Sequence, residues 1–186
     1  IDAILDLRRE HRFTYKDVVF VEVTVAPSPG HTNFDIRSVF NTNPKGGLDG
    51  KFSVPYTAAV AVLDGFVGID SFTDEKRYSP QVEEALTRVR VRLAEPVASA
   101  DEMWSRATVH LKDGRVLEKT VHRPRGVWGD RLPREERLAK FTDCASRVLV
   151  PADQRRVVEL VESFEELPHI RELMDLLMKV PARTPL

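Results

Sequence analysis

Two kinds of hydrophobic spacing divide the chain into a middle part rich in strands and two flanks rich in helices. Residues 18–26 are rich in β-branched side chains with partial alternation, which predicts a strand. Strict alternation over residues 88–93 places apolar side chains on one face and three arginines on the other. Residues 107–122 predict a β-hairpin, because Asp113-Gly114 is a favoured two-residue turn between strands.

Helical spacing marks the remaining segments. Residues 1–11 and 54–66 predict helices, and Ser79-Pro80 predicts the start of another. Three further helices are predicted near the C-terminus, over residues 134–148, 152–164 and 169–178. Residues 27–50 carry prolines, glycines and asparagines without a period, so they predict a loop that is long enough to be functional.

The order of these elements favours an α+β fold, with a small antiparallel or mixed sheet and helices over roughly residues 16–123. Helices at both ends of the chain are expected to belong to a second, helical body. The chain opens on Ile1 in a helical pattern with no capping residue before it. We therefore interpret it as the C-terminal part of a longer protein.

Composition narrows the classes of function. The 186 residues carry a net charge of -1 without a long basic run, so nucleic-acid binding is not expected. No apolar run approaches the roughly 20 residues of a membrane span. The five histidines show no metal-ligand spacing, and the single cysteine, Cys144, cannot form an internal disulfide. A cytoplasmic protein without a structural zinc site is the expectation.

The segment 50–65, GKFSVPYTAAVAVLDG, carries the strongest candidate chemistry. Ser53 is suited to cap a helix, and a proline two positions later fits its first turn. Lys51 and Tyr56 would then lie beside the exposed N–H groups and the positive dipole end of that helix. This corner suits a carboxylate. The alternative is a capped, buried helix with a surface lysine and a packed tyrosine ring.

Two weaker candidates also bear cationic or imidazole groups. Arg88, Arg90 and Arg92 could hold a ligand with several carboxylates by bidentate pairing, or they could line the solvated face of a sheet. His31 lies in the long loop and could reach a ligand, or it could simply be solvated. A phosphate loop is not favoured, because Lys51 is followed by Phe52 and not by the hydroxyl residue of that motif.

In order along the chain, GKFSVPYTAAVAVLDG, Ser79-Pro-Gln-Val82, the Leu111-Lys-Asp-Gly114 hairpin and LPREERLAKF at residues 132–141 resemble the C-terminal half of the MmgE/PrpD family. The opening IDAILDLR resembles the helix that follows the family's Lys-x-Tyr-Pro-like segment. The resemblance covers nearly the whole chain. It implies enzymes of the 2-methylcitrate dehydratase, cis-aconitate decarboxylase and iminodisuccinate epimerase type, which act on small di- and tricarboxylates without a cofactor and are commonly homodimers.

The resemblance also implies an organisation and a set of site residues. Residues 1–15 would be a helix of a large all-helical domain, residues 16–123 a lid-like α+β domain and residues 124–186 C-terminal helices. Lys51 would bind substrate carboxylate, Ser53 would cap the helix or contact substrate, and Tyr56 would line the cleft and donate a hydrogen bond. Lys51 and Tyr56 are the candidate catalytic residues, and His31 is a further candidate for substrate contact. The main base is expected outside this chain, so the chain alone is expected to be inactive. The alternative is a non-catalytic module for acid binding or dimerisation.

Overall fold

The chain forms two compact units in a computed structural model that describes residues 1–26, 41–95, 97–98, 104–127 and 131–179. One unit spans Ile1–Arg131 and the other spans Leu132–Leu186. The candidate residues Lys51, Ser53 and Tyr56 belong to the first unit.

Four strands of the first unit form one mixed sheet in the order β2-β1-β3-β4. The strands are β1 (Val18–Ala26), β2 (Val89–Leu93), β3 (Trp104–Leu111) and β4 (Val116–Val121). Strand β1 pairs in parallel with β2 and antiparallel with β3, and β3 pairs antiparallel with β4 across the predicted turn. The mixed sheet and its helices confirm the predicted α+β class.

Helices of the first unit lie mainly between β1 and β2 along the chain, because two parallel strands need a long crossover connection. The helices that the described residues form are α1 (Asp2–His11), α2 (Gly47–Gly50), α3 (Val54–Asp64), α4 (Asp74–Arg77) and α5 (Pro80–Thr87). Among the described residues, the 3-10 turns Tyr15–Asp17 and Ile69–Phe72 lie in the connections of this unit. Helix α3 ends two residues before its predicted end, because Gly65 adopts the left-handed conformation (φ 73°) that terminates many helices.

Helix α3 is the centre of this unit's core. It is apolar on nearly all sides, and five consecutive residues, from Ala58 to Val62, are buried. They share one cluster with Val21 and Val109 on the inner face of the sheet. A helix that is apolar all round is stable only when other elements cover every side. The start of α3, which carries the candidate motif, is therefore fixed by the fold around it.

Helix α1 packs against α3 and β4 within the same unit. Ile4 and Leu7 are each 1% exposed and belong to the core cluster, whereas Ile1 is half exposed. The buried stripe of α1 is thus formed by Ala3, Ile4 and Leu7. The assignment of residues 1–15 to a separate helical domain, and the three-part division of the chain, concern the whole parent protein and stay predictions.

The outer face of the sheet is polar. Phe20 stacks on His110 with ring centroids 4.0 Å apart, and the Arg90 guanidinium lies 4.3 Å from the centroid of the Phe20 ring. Arg92 pairs with Glu22 at 2.9 Å across the β1–β2 register. Cross-strand pairs of this kind stabilise a face whose side chains are partly or fully exposed.

In the described part of the second unit the α-helices are α6 (Arg134–Ala145), α7 (Pro151–Glu162) and α8 (Arg171–Leu177). Their small core is formed by Ala145, Leu149, Val157, Leu160, Leu173 and Leu176. The existence of the three predicted helices is confirmed, although α6 ends three residues early. Among the described residues, no helix is both long and apolar enough to cross a membrane.

Candidate functional site

Lys51 lies in the short link between α2 and α3, where its side chain is exposed. Its Nζ atom is 5.6 Å from the centroid of the Phe72 ring, so the ammonium group lies over an aromatic face. Within the part of the chain that the structure describes, Nζ makes no ion pair with a carboxylate. Lys51 therefore presents a cation that an external anion could approach.

Ser53 caps α3 as the sequence predicts. Its Oγ accepts a hydrogen bond from the Tyr56 N–H at 3.0 Å and donates one to the Asn41 carbonyl oxygen at 2.5 Å. The side chain is 1% exposed, and both functions of its hydroxyl are used. Ser53 thus ties the helix start to the segment that precedes it, and the capping alternative of the sequence analysis is realised.

Tyr56 lies in the core at 0% exposure. Its hydroxyl donates to the Ser71 carbonyl oxygen at 2.6 Å, and burial raises the pKa of the phenol above its ordinary value. In this arrangement the hydroxyl is committed to the backbone and does not reach solvent. The structure brings Tyr56 and Ser53 together, while the Lys51 ammonium points to the exposed side of the same turn. A direct role of Tyr56 in chemistry stays a prediction.

Two glycines allow the turn before Lys51 to pack so closely. A Cβ atom on Gly50 would lie 2.7 Å from the Tyr56 ring, and one on Gly47 would lie 2.2 Å from the Phe72 carbonyl oxygen. Any side chain at either position would therefore force the Tyr56 ring or the Phe72 backbone to shift. Helix α2 is thereby held against α3 and against the 3-10 turn that ends at Phe72.

The other candidates fall elsewhere. His31 lies outside the described residues, so its predicted contact with substrate stays a prediction. Arg88 donates to the Val18 carbonyl oxygen at 2.7 Å and pairs with Glu84, while Arg90 and Arg92 belong to the outer face of the sheet. The three arginines are thus engaged with neighbouring groups of their own sheet and helix and do not converge on Lys51.

Two residues near the site escaped the sequence analysis. Arg77 is 1% exposed and binds three groups at once, and Asp74 accepts a hydrogen bond from the Gly47 N–H at 2.8 Å. In the sequence they stand in Asp-Glu-Lys-Arg, a run of charges typical of a solvated helix. Nothing in that pattern distinguishes the buried arginine from the exposed Glu75 beside it.

A depression of about 360 Å³ lies beside α4, on the side lined by Asp64, Asp70 and Glu75. Its carboxylates make it a poor receptor for an acidic ligand, and its lining does not include Lys51. This depression is therefore separate from the exposed Lys51 side chain. Within the described residues, no cluster of three or more histidine, cysteine or acidic side chains is arranged to hold a metal ion.

Comparison with known proteins identifies the group to which this arrangement belongs. The family model described as the MmgE/PrpD C-terminal domain matches residues 1–166. The chain belongs to the MmgE/PrpD family. The MmgE/PrpD match begins at α1 and includes the sheet, the Lys51 turn and α7, so it covers the whole first unit.

Curated relatives of this MmgE/PrpD chain include two enzymes. It is 27% identical over 144 residues to the protein named cis-aconitate decarboxylase of Mus musculus, and equally to that of Homo sapiens. The alignment covers 77% of this chain but 30% of each relative. The chain therefore spans less than a third of the length of the curated relatives it matches.

Proposed function

We propose that this chain is the C-terminal part of an MmgE/PrpD-type lyase or isomerase that acts on a small di- or tricarboxylate. The whole protein would remove a proton, or a carboxyl group, next to a carboxylate, and it would work as a cytoplasmic homodimer without a cofactor. The observation that carries the proposal is the Lys51 ammonium group, exposed and without a carboxylate partner among the described residues, on a turn that belongs to the matched domain.

The chemistry explains why such a cation is useful. The substrate carries its carboxylate charges before and during loss of the neighbouring proton, and a fixed cation that binds one carboxylate in both states lowers KM. Lys51 offers three N–H donors from a compact charge, which suits a carboxylate oxygen. The base that takes the proton is proposed to lie in the part of the parent protein that precedes this chain. The 186-residue chain alone would then bind weakly and turn over nothing.

The direct test uses the full-length parent in D₂O. The protein is incubated with cis-aconitate, 2-methylcitrate, citrate and iminodisuccinate and followed by proton NMR. The proposal expects deuterium next to a carboxylate or a new product signal with at least one compound, and no turnover by the 186-residue chain. Turnover by that chain alone would overturn the proposed location of the base.

The role of Lys51 is tested in the same parent protein. Lys51→Met keeps the length of the side chain and removes its charge, and we expect KM to rise about tenfold or more because a hydrogen bond to a charged group is worth roughly 1.5–3 kcal/mol. Lys112→Met, which removes another exposed ammonium group from the β3–β4 hairpin, is the control. Silence of the folded parent across all four acids would instead favour the module for acid binding or dimerisation.

A further inference from the structure

Arg77 has the largest side chain among the fully buried residues of the described chain. Its Nε donates to the Pro44 carbonyl oxygen at 2.8 Å, and its Nη2 donates to the Asn43 Oδ1 atom at 2.7 Å. Its Nη1 pairs with the carboxylate of Glu83, which is half exposed. One guanidinium group therefore binds the loop before α2 on two sides and α5 on the third.

The loop that Arg77 holds leads directly to Lys51. We name residues 41–50 the anchor segment. Besides the two bonds to Arg77, it receives a hydrogen bond from the Tyr78 hydroxyl to the Lys45 carbonyl oxygen at 2.9 Å, and its Gly47 N–H donates to Asp74. Helix α4 and the residue after it thus bind the anchor segment through three side chains. The last residue of the segment is joined to Lys51 by a peptide bond.

Stability alone does not account for an arginine at this position. Burial of a guanidinium group carries a desolvation cost, and an apolar side chain of similar volume often stabilises a fold as well or better. An apolar residue, however, could not bind two points of the anchor segment and a neighbouring helix at the same time. The planar, forked geometry of the donors is what arginine adds, and lysine does not reproduce it.

We propose that Arg77 is a positioning residue, which holds the anchor segment and thereby fixes where Lys51 presents its ammonium group. The inference rests on the proposed function of Lys51 in carboxylate binding. Loss of the fork leaves the core cluster around α3 intact but lets residues 41–50 sample other conformations. The Lys51 ammonium is then spread over many positions, and substrate binds more weakly.

The first test measures the anchor segment itself, in the 186-residue chain, by amide hydrogen exchange. In Arg77→Lys we expect the N–H groups of Gly47, Gly50 and Lys51, all of which are hydrogen-bonded in the structure, to exchange at least tenfold faster. The N–H groups of β1 and β3 should keep their rates. Unchanged exchange at the anchor segment would overturn the proposal, whatever reaction the parent protein catalyses.

The matched control is Arg88→Lys. Arg88 also donates to a backbone carbonyl oxygen, pairs with a glutamate and lies over a tyrosine ring, at 4.7 Å from the Tyr15 centroid, but it does not bind the anchor segment. Its conversion to lysine should leave the exchange of Gly47 and Lys51 unchanged. Equal acceleration by both variants would mean that any lost arginine loosens the unit, and it would overturn a specific role for Arg77.

The second test is kinetic and uses the full-length parent with the acid that it turns over. Arg77→Lys should raise KM about tenfold and change kcat less than threefold, and the same pattern is expected for Lys51→Met. Because Arg77 is proposed to act through Lys51, Arg77→Lys should add less than threefold to KM in the Lys51→Met background. If the KM of the double variant rose by the product of the two single changes, the proposal would be overturned. A silent Lys51→Met would instead refute the proposed role of Lys51, and the exchange result would still decide whether Arg77 holds the segment.

Discussion

Single side chains in the candidate motif have roles that can be separated by small substitutions. Tyr56→Phe removes a buried hydroxyl and leaves the Ser71 carbonyl oxygen without its donor. We expect the free energy of unfolding to fall by about 1–3 kcal/mol, because a buried acceptor without a donor pays the full cost of its lost hydration. Urea unfolding of the 186-residue chain measures the change.

Tyr78→Phe is the control for that experiment. Its hydroxyl also donates to a backbone carbonyl oxygen, at 2.9 Å, but the side chain is 56% exposed and water can replace the bond. We expect a change within about 0.5 kcal/mol. If Tyr56→Phe left the stability of the 186-residue chain unchanged but greatly lowered kcat in the full-length enzyme, a direct catalytic role would be favoured over the structural one.

Ser53→Ala removes the cap of α3 and the bond to the Asn41 carbonyl oxygen together. The expected loss is about 1–2 kcal/mol, since removal of a capping hydroxyl costs up to about 2 kcal/mol. Ser79 also precedes a helix with proline in its first turn, but its side chain makes no capping hydrogen bond. Ser79→Ala should therefore cost less, and an equal loss in the two variants would contradict the capping account.

What the sequence predicted about these residues depended on distance along the chain. The Ser53 cap and its proline act within one helical turn, so their spacing alone indicated them. The acceptor of the Tyr56 hydroxyl lies 15 residues away, and the two partners of Arg77 in the anchor segment lie 33 and 34 residues away. Such pairs are decided by the packing of α3 and α4, which no local pattern contains. The burial of Tyr56 and the role of Arg77 therefore required the structure.

Secondary-structure elements followed local pattern more closely than their pairing did. The β3–β4 hairpin was predictable, because its turn and both strands are continuous in the sequence. The parallel pair of β1 and β2 was not, since 62 residues separate Ala26 from Val89 and helices α2 to α5 lie between them. The alternation in β2 correctly indicated a two-faced strand. Which strand it joins is set by the packing of α3 and α5 beneath the sheet.

The contact between the 3-10 turn at Tyr15–Asp17 and α5 predicts a dependence of stability on pH. Burial, together with the hydrogen bond that the Tyr15 hydroxyl donates to Glu84 at 2.5 Å, raises the pKa of Tyr15 to about 12. An unfolded tyrosine ionises near pH 10. Between these values the folded chain binds more protons than the unfolded chain, so the free energy of unfolding falls as pH rises.

Tyr15→Phe removes this group from both states. Between pH about 10 and about 12, we expect the free energy of unfolding to fall less steeply with pH in the variant than in the unsubstituted chain. The other ionisable groups are common to both proteins and do not contribute to this difference. Urea unfolding at a series of pH values across that window gives the two slopes. Parallel slopes would show that the hydroxyl of Tyr15 ionises equally readily in the folded and unfolded chains.

At the scale of the whole molecule, the two units differ in the core that each can form. The first unit has a continuous cluster that joins α1, α3, α5 and the sheet, whereas the described part of the second unit has a cluster of six buried apolar side chains. A body of about 50 residues with so small a core has little stability of its own. The two units are therefore expected to unfold in separate transitions, with the second unit unfolding first.

A pair of matched substitutions tests this expectation. Leu7 in α1 and Leu160 in α7 are 1% and 2% exposed, and truncation of a buried leucine to alanine costs about 2–5 kcal/mol. Hydrogen exchange of the backbone amides follows the unfolding of each unit separately. Leu160→Ala should destabilise α6–α8 and leave the unfolding of the sheet unchanged. Leu7→Ala should do the reverse. If each substitution shifted both transitions equally, the chain would unfold as one cooperative body, and the small core of the second unit would owe its stability to the first.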